Sequence, residues 1–232
     1  MEPPAEYGAD AVTHRTEVTY VAGLDLGQAS DFTAIAVLER RLTESGGATE
    51  LVETDHGYVT HHPPHRKDVR YAVRHLVRWP LGTPYTAVVK SVREIFAVEP
   101  LAGQTLAVDA TGVGRPVVDM FRSAMIDAHL RPVVITAGNR ATVDEAGCWH
   151  VPKKELVSVL QLLLQWRRIS VAKSLPHAAV LVRELEAFRV KVTAAGNETF
   201  EAWRERDHDD LVLAVAMAAW IAEHGQREAW LA

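Results

Sequence analysis

Apolar residues along this chain recur at two spacings, and the alternation between them predicts its elements. Val18–Gln28, with the run TYVAGLDLGQ, reads as a buried strand entering a glycine turn. Thr33–Arg40 is a second short apolar run, and the brief Gly27–Asp31 connection predicts that the two pair as a hairpin. Glu50–Thr60, after the turn Ser45-Gly46-Gly47, is read as a third strand. Arg66–Arg78 is read as partly helical, because Val69, Val73, Leu76 and Val77 fall near helical spacing. Pro84–Val98 predicts a helix, Gln104–Asp109 a strand, Pro116–His129 a helix and Pro132–Thr136 a strand. This strand–helix–strand order predicts a right-handed crossover between two parallel strands. Pro152 opens a helix through Trp166, and Pro176–Phe188 predicts another. Val190–Trp203 reads as a hairpin about Gly196-Asn197, and Asp210–Glu223 as an apolar helix behind the acidic cluster Asp207-His208-Asp209-Asp210.

Composition narrows this little. A chain of 232 residues with 48% hydrophobic and 24% charged content fits one globular domain with a sizeable core. We expect that domain over 17–225, between a floppy tail at 1–16 and a short one at 226–232. No apolar run is long enough for a membrane span, and Met1–Asp10 lacks the features of a signal peptide. The single cysteine, Cys148, excludes an intramolecular disulfide, fits a reducing cytoplasm and reads as a packing residue. The net charge of −5 does not advertise nucleic-acid binding, but carboxylates gathered at a metal site lower the total without saying where basic residues lie.

The candidate chemistry is acidic. Asp25 interrupts an apolar strand in GLDLG, Asp109 ends another in LAVDATGVG, and Asp209 and Asp210 open an apolar helix. Asp209 or Asp210 could serve only as a helix cap, and Asp109 only as a turn residue. Asp25 has no such structural use, because a carboxylate in an apolar strand is costly without a partner or metal. If Asp25 and Asp109 lie on adjacent strands they sit roughly 5 Å apart, where like charges repel unless a cation intervenes. Oxygen donors without a Cys or His set point to Mg2+ or Mn2+.

These segments resemble a known family. GLDLGQASDFTAIAVLE, VDATGVGRPVVDMF and HDDLVLAVAMA resemble, in order and spacing, the three nuclease motifs of phage terminase large subunits. VPKKELVSVLQLLLQWRRISV and the following ELEAF segment are similar to what those proteins carry before the third motif. The resemblance covers about 17–225. It implies an α/β RNase H-like fold, with a five-stranded mixed sheet of three antiparallel and two parallel strands flanked by helices on both faces. It implies two-metal hydrolysis of double-stranded DNA, with Asp25 bridging the ions, Asp109 holding one and either Asp209 or Asp210 the other. Its implied partners are duplex DNA, a packaging ATPase, a small terminase subunit and a portal, in the cytoplasm of a bacterial host. Leu213 departs from the family, where many relatives carry an acid, and no G-x-x-x-x-G-K-[ST] loop is present, so this chain alone should not translocate DNA.

Two basic stretches are candidate DNA contacts: Arg66, Lys67, Arg70, Arg74 and Arg78, and then Lys153, Lys154, Arg167, Arg168 and Lys173. Either could be a solvated helix face. Lys153 and Lys154 are preferred, since they open a helix in the family-like segment. His61, His62 and His65 read as a proline-rich loop, and His208 could orient a carboxylate or cap a helix. Three other readings compete: a RuvC-like junction resolvase, a catalytically inactive RNase H-like interaction module, and a fragment of an actin-like or sugar-kinase-like ATPase. Cleavage with and without Mn2+ and turnover of ATP separate them.

Overall fold

The structure is a computed structural model that describes residues 13–27, 31–46, 50–54, 57–61, 66–112, 114–194 and 209–225. It is an α/β protein with a mixed eight-stranded sheet. In chain order the elements are β1 (Thr13–Asp25), β2 (Ala34–Gly46), β3 (Glu50–Thr54), β4 (Gly57–His61), β5 (Arg66–Arg78), α1 (Tyr85–Phe96), β6 (Gln104–Asp109), α2 (Gly114–Ser123), β7 (Ala128–Thr136), β8 (Thr142–Val143), β9 (Trp149–Pro152), α3 (Lys153–Gln165), β10 (Ile169–Val171), α4 (Ala178–Ala194) and α5 (Asp210–His224). The large sheet runs β10-β5-β2-β1-β6-β7-β9-β8. It is larger than the five strands expected, because the short segments β8, β9 and β10 extend both margins. β1, β6, β7 and β9 are mutually parallel in sequence, and β8 pairs antiparallel with β9.

The chain divides into two compact units. One comprises Met1–Val18 and Arg41–Arg70; the other comprises Thr19–Arg40 and Tyr71–Ala232. In the first, β3 and β4 form their own antiparallel sheet, from Glu50↔His61 to Thr54↔Gly57. Ion pairs Lys67–Glu44 (2.6 Å) and Arg70–Asp68 (2.8 Å) also belong to it. The segment expected as one third strand is therefore a hairpin outside the large sheet. β1 also begins at Thr13, inside the expected tail.

The strand next to β2 is β5, which corrects the helical reading of Arg66–Arg78. Val69, Val73, Leu76 and Val77 do fit a helix, but Tyr71 and Val73 are buried at strand spacing before the phase slips to Leu76. Two neighbours, β2 and β10, supply the ladder that decides between those readings. Pro116–His129 is shorter as a helix than expected, because Ala128 and His129 already pair with Gln104 and Thr105. Val190–Ala194 continues α4 rather than opening a hairpin, and the rest of that expected hairpin lies outside the described residues. Among the described residues no helix is long and apolar enough to cross a membrane.

In the second unit the sheet separates two layers. On one face Leu24, Leu26, Leu106 and Val108 pack with Val88, Val92 and Phe96 of α1 and Val117 and Phe121 of α2. On the other lies α5, which is apolar around its whole circumference and buried accordingly, packed against α3 and α4. Gly23 allows this approach: a Cβ there would collide with the Ala214 carbonyl oxygen. Side chains alternate across a strand, so Asp25 shares Gly23's face and points to the α5 side.

Candidate functional site: an acidic strand-end cluster

Asp25 is the last residue of β1 and Asp109 the last of β6. Leu24 pairs with Val108 in parallel register, so the following residues are level with each other at the carboxyl end of the sheet. The two carboxyl groups are close enough for Asp109 to raise the Asp25 pKa. A ligand crevice at the carboxyl ends of parallel strands is the usual arrangement in α/β sheets. Local contacts hold both turns. The Gly27 N–H donates to Thr33 Oγ1 at 3.1 Å, and the Tyr85 hydroxyl donates to the Gly27 carbonyl at 3.1 Å. Asp109 Oδ1 accepts the Thr111 N–H at 2.7 Å, and Thr111 Oγ1 accepts the Ile135 N–H at 2.7 Å. Asp109 thus serves its turn with one oxygen while remaining beside Asp25.

The N-terminus of α5 completes the cluster. Asp209 is at the N-cap position, but its side chain makes no capping hydrogen bond. Glu184 of α4 does that work: its Oε2 accepts the Leu211 and Val212 N–H groups, each at 3.1 Å. Asp210, only 3% exposed, faces Arg78 of β5, with Nε–Oδ2 at 2.6 Å and Nη2 donating to Oδ1 at 3.2 Å. Arg78 also lies 3.8 Å from Glu184 and stacks over the Phe32 ring at 3.9 Å. Arg78, expected as a DNA contact, instead faces an acid of the cluster, and Glu184 was not among the expected site residues. The signal for Glu184 was present: it continues the buried stripe of Ala178 and Leu181, where an acid is out of place.

The electrostatics follow from crowding. Burial, then the charges of Asp109, Asp209 and Asp210, push the Asp25 carboxyl well above its ordinary range. Asp25 as a residue keeps some exposure, while its carboxyl is enclosed. Glu184 is pushed up to about 7, first by burial and then by Asp210, with its backbone hydrogen bond and Arg78 acting the other way. A metal-free cluster of this kind holds protons that a divalent cation would replace. The donor set, all carboxylate oxygens, fits Mg2+ or Mn2+. The carboxylates do not close to the spacing of one tight ligand set. Among the described residues, the set of three that does, with ligand atoms all within 4.8 Å, is Asp144, Cys148 and His150.

The other candidates are spread more widely. Lys153 and Lys154 follow Pro152 at the carboxyl end of β9, the same edge of the parallel sheet as Asp25 and Asp109. Lys154 Nζ donates to Asn139 Oδ1 at 2.6 Å. Arg74 and Arg78 are committed to acids rather than lying on a solvated helix, since Arg74 pairs with Glu39 at 2.8 Å. Arg168 pairs with Glu223 at 2.7 Å. His62, His65 and His208 lie outside the described residues.

Comparison with protein-family models, with curated proteins and with solved structures finds no match.

Proposed function

We propose that this chain is a divalent-metal-dependent endonuclease of RNase H-like fold that hydrolyses duplex DNA, as the nuclease part of a viral packaging terminase. The observation that carries this reading is the convergence of Asp25, Asp109, Asp209 and Asp210, from three separate elements, at one end of the sheet, closely enough to shift the titration of Asp25. The central run β5-β2-β1-β6-β7, with β1, β6 and β7 parallel, supports the fold assignment.

Asp25, Asp109 and Asp209 would hold one or two Mg2+ or Mn2+ ions, whose chemistry when bound is to activate a water and to neutralise the leaving 3′ oxygen. Metal binding would displace the proton that burial and the neighbouring acids favour on Asp25. Asp210 is engaged by Arg78, which favours Asp209 as the third ligand. Glu184 fixes the first turn of α5 and so the direction in which Asp209 projects. Lys153 and Lys154, beyond the end of β9, supply charge for the DNA backbone.

The test is cleavage of supercoiled plasmid by the purified chain with Mn2+, with chelator, and with Asp25→Asn. Nicking or linearisation with Mn2+ that disappears in the folded Asp25→Asn protein is expected. A wild-type chain inert with every divalent ion, or an Asp25→Asn chain that cuts normally, ends this reading. ATP turnover by the same preparation would replace it with the ATPase alternative.

A further inference from the structure

The β8–β9 hairpin carries a second constellation with different chemistry. Asp144 follows β8, and Cys148 and His150 flank Trp149 at the start of β9. Val143 pairs with Trp149 and Thr142 with His150, so Asp144 comes opposite Cys148. Opposed residues share a face, as do residues two apart on one strand, so the hairpin gathers all three side chains on one side. That side is not the one facing α5. The intervening Trp149 points to α5, where it meets Trp220 edge to face with centroids 5.1 Å apart. The three side chains therefore occupy the opposite face of the sheet from Asp25 and Asp109.

Asp144 divides its carboxylate between two tasks. Oδ1 closes the turn, accepting the Ala146 and Cys148 N–H groups at 3.0 and 2.9 Å. Oδ2 faces His150 Nε2 at 3.3 Å. That is long for a charge-assisted hydrogen bond. It matches the roughly 3.4 Å edge expected between two ligands on tetrahedral zinc with bonds of about 2.0–2.1 Å. All the ligand atoms lie within 4.8 Å of one another, close enough to face one ion.

We propose that Asp144, Cys148 and His150 form a binding site for one thiophilic divalent cation of the Zn2+ class, separate from the acidic cluster, with water as the fourth ligand. Sulfur and imidazole donors select Zn2+ or Co2+ over Mg2+, the reverse of an all-carboxylate site. Thiolate and carboxylate together balance the ion's charge, so the nearby Arg122 of α2, itself paired with Asp119 at 3.1 Å, opposes binding little. The bound ion pins the hairpin whose second strand runs into Lys153 and Lys154.

Cobalt makes this testable, because Cys148 is the chain's single cysteine and any thiolate-to-cobalt charge-transfer band must come from it. Titration of the full chain with Co2+ should give that band, saturating at one equivalent, bleached by Zn2+ and unaffected by excess Mg2+. Cys148→Ser should abolish it, with folding checked by circular dichroism. His150→Ala and Asp144→Asn, the latter keeping the turn's acceptor, should each weaken Co2+ binding at least about tenfold. Asp25→Asn should leave the band intact, which separates this site from the nuclease centre. Absence of the band, its survival unchanged in His150→Ala and Asp144→Asn, or saturation at half an equivalent through a second copy would each overturn the proposal.

Discussion

Two places at the same end of the sheet bury carboxylates, and they treat them differently. At the start of α5, Asp210 lies against Arg78, and Glu184 accepts two helix N–H groups. At the ends of β1 and β6, Asp25 and Asp109 face each other, and Asp25 is crowded by further acids. The first arrangement has an arginine and two helix N–H groups to offset its burial and reads as architecture. In the second, burial and the neighbouring acids push the Asp25 carboxyl well above its ordinary range, a repulsion that folding alone does not justify. Acids crowded together in this way are candidates for metal and catalysis, whereas those set against Arg78 and the helix N–H groups hold them in place.

The largest effect expected from this contrast is between neighbours. Asp209→Asn should reduce metal-dependent cleavage by about a thousandfold or more, roughly 4 kcal/mol of barrier, with little change in stability. Asp210→Asn should instead destabilise the fold by about 2 kcal/mol, because it leaves Arg78 facing a neutral group in a buried setting. Its activity per folded molecule should remain well above that of Asp209→Asn. Plasmid cleavage and urea unfolding on the same two proteins decide this. The reverse order of activities would exchange the roles of the two residues.

A smaller effect concerns pH. Glu184 titrates at about 7 in the folded protein, against an ordinary value of 4.5. Its native pKa is raised, so the folded chain binds more protons than the unfolded chain between those values. The stability it contributes is present below about pH 4.5 and is lost as pH rises through 7. Asp25 acts in the same direction. Glu184→Gln keeps an oxygen for the Leu211 and Val212 N–H groups but removes the titration. It should therefore flatten the metal-free stability profile between pH 5 and 8 by about 2 kcal/mol. An identical slope in wild type and variant would mean that Glu184 is not the group that loses its proton.

Much of this contrast could be read from residue order, and its limits are physical. Asp25 stood out because an acid between Leu24 and Leu26 conflicts with its strand. Asp109, Asp209 and Asp210 stood out by position at the borders of apolar runs. The helices α1 and α3 were apparent from their apolar periods, and α5 and strand β6 from their continuous apolar runs. Strand β5 was not, since its apolar set fits both periods and only its neighbours resolve the ambiguity. Short β8, β9 and β10 carry too few residues to show any period. Arg78 and Glu184 were missed as a pair because they are far apart in sequence and meet only where β5, α4 and α5 converge. Asp144 and His150 join Cys148 only through hairpin register, which residue order does not display.

The smallest effect tests whether basic residues on the rim serve the same site. Lys153 and Lys154 lie past the end of β9, and Trp149 is level with Val133, which is level with Asp109. Three parallel strands thus deliver the acids and the lysines to one edge. Lys154 is exposed and tethered to Asn139 on the loop after β7, which positions it without neutralising it. Binding by this acidic chain should be weak and nonspecific, because a motor holding the DNA would supply high local concentration. Each lysine that neutralises one phosphate adds about 0.9 to the slope of log affinity against log salt. Lys154→Ala should therefore flatten that slope by about 1, and the double replacement by about 2. Ca2+ should be present throughout, to neutralise the acidic cluster without supporting fast cleavage. The Arg74 and Arg78 guanidinium groups are committed to Glu39 and Asp210, so they offer little to a phosphate. An unchanged slope in the double variant would move the DNA path to other cations on this edge, with exposed Arg140, in the loop between β7 and β8, the next to replace.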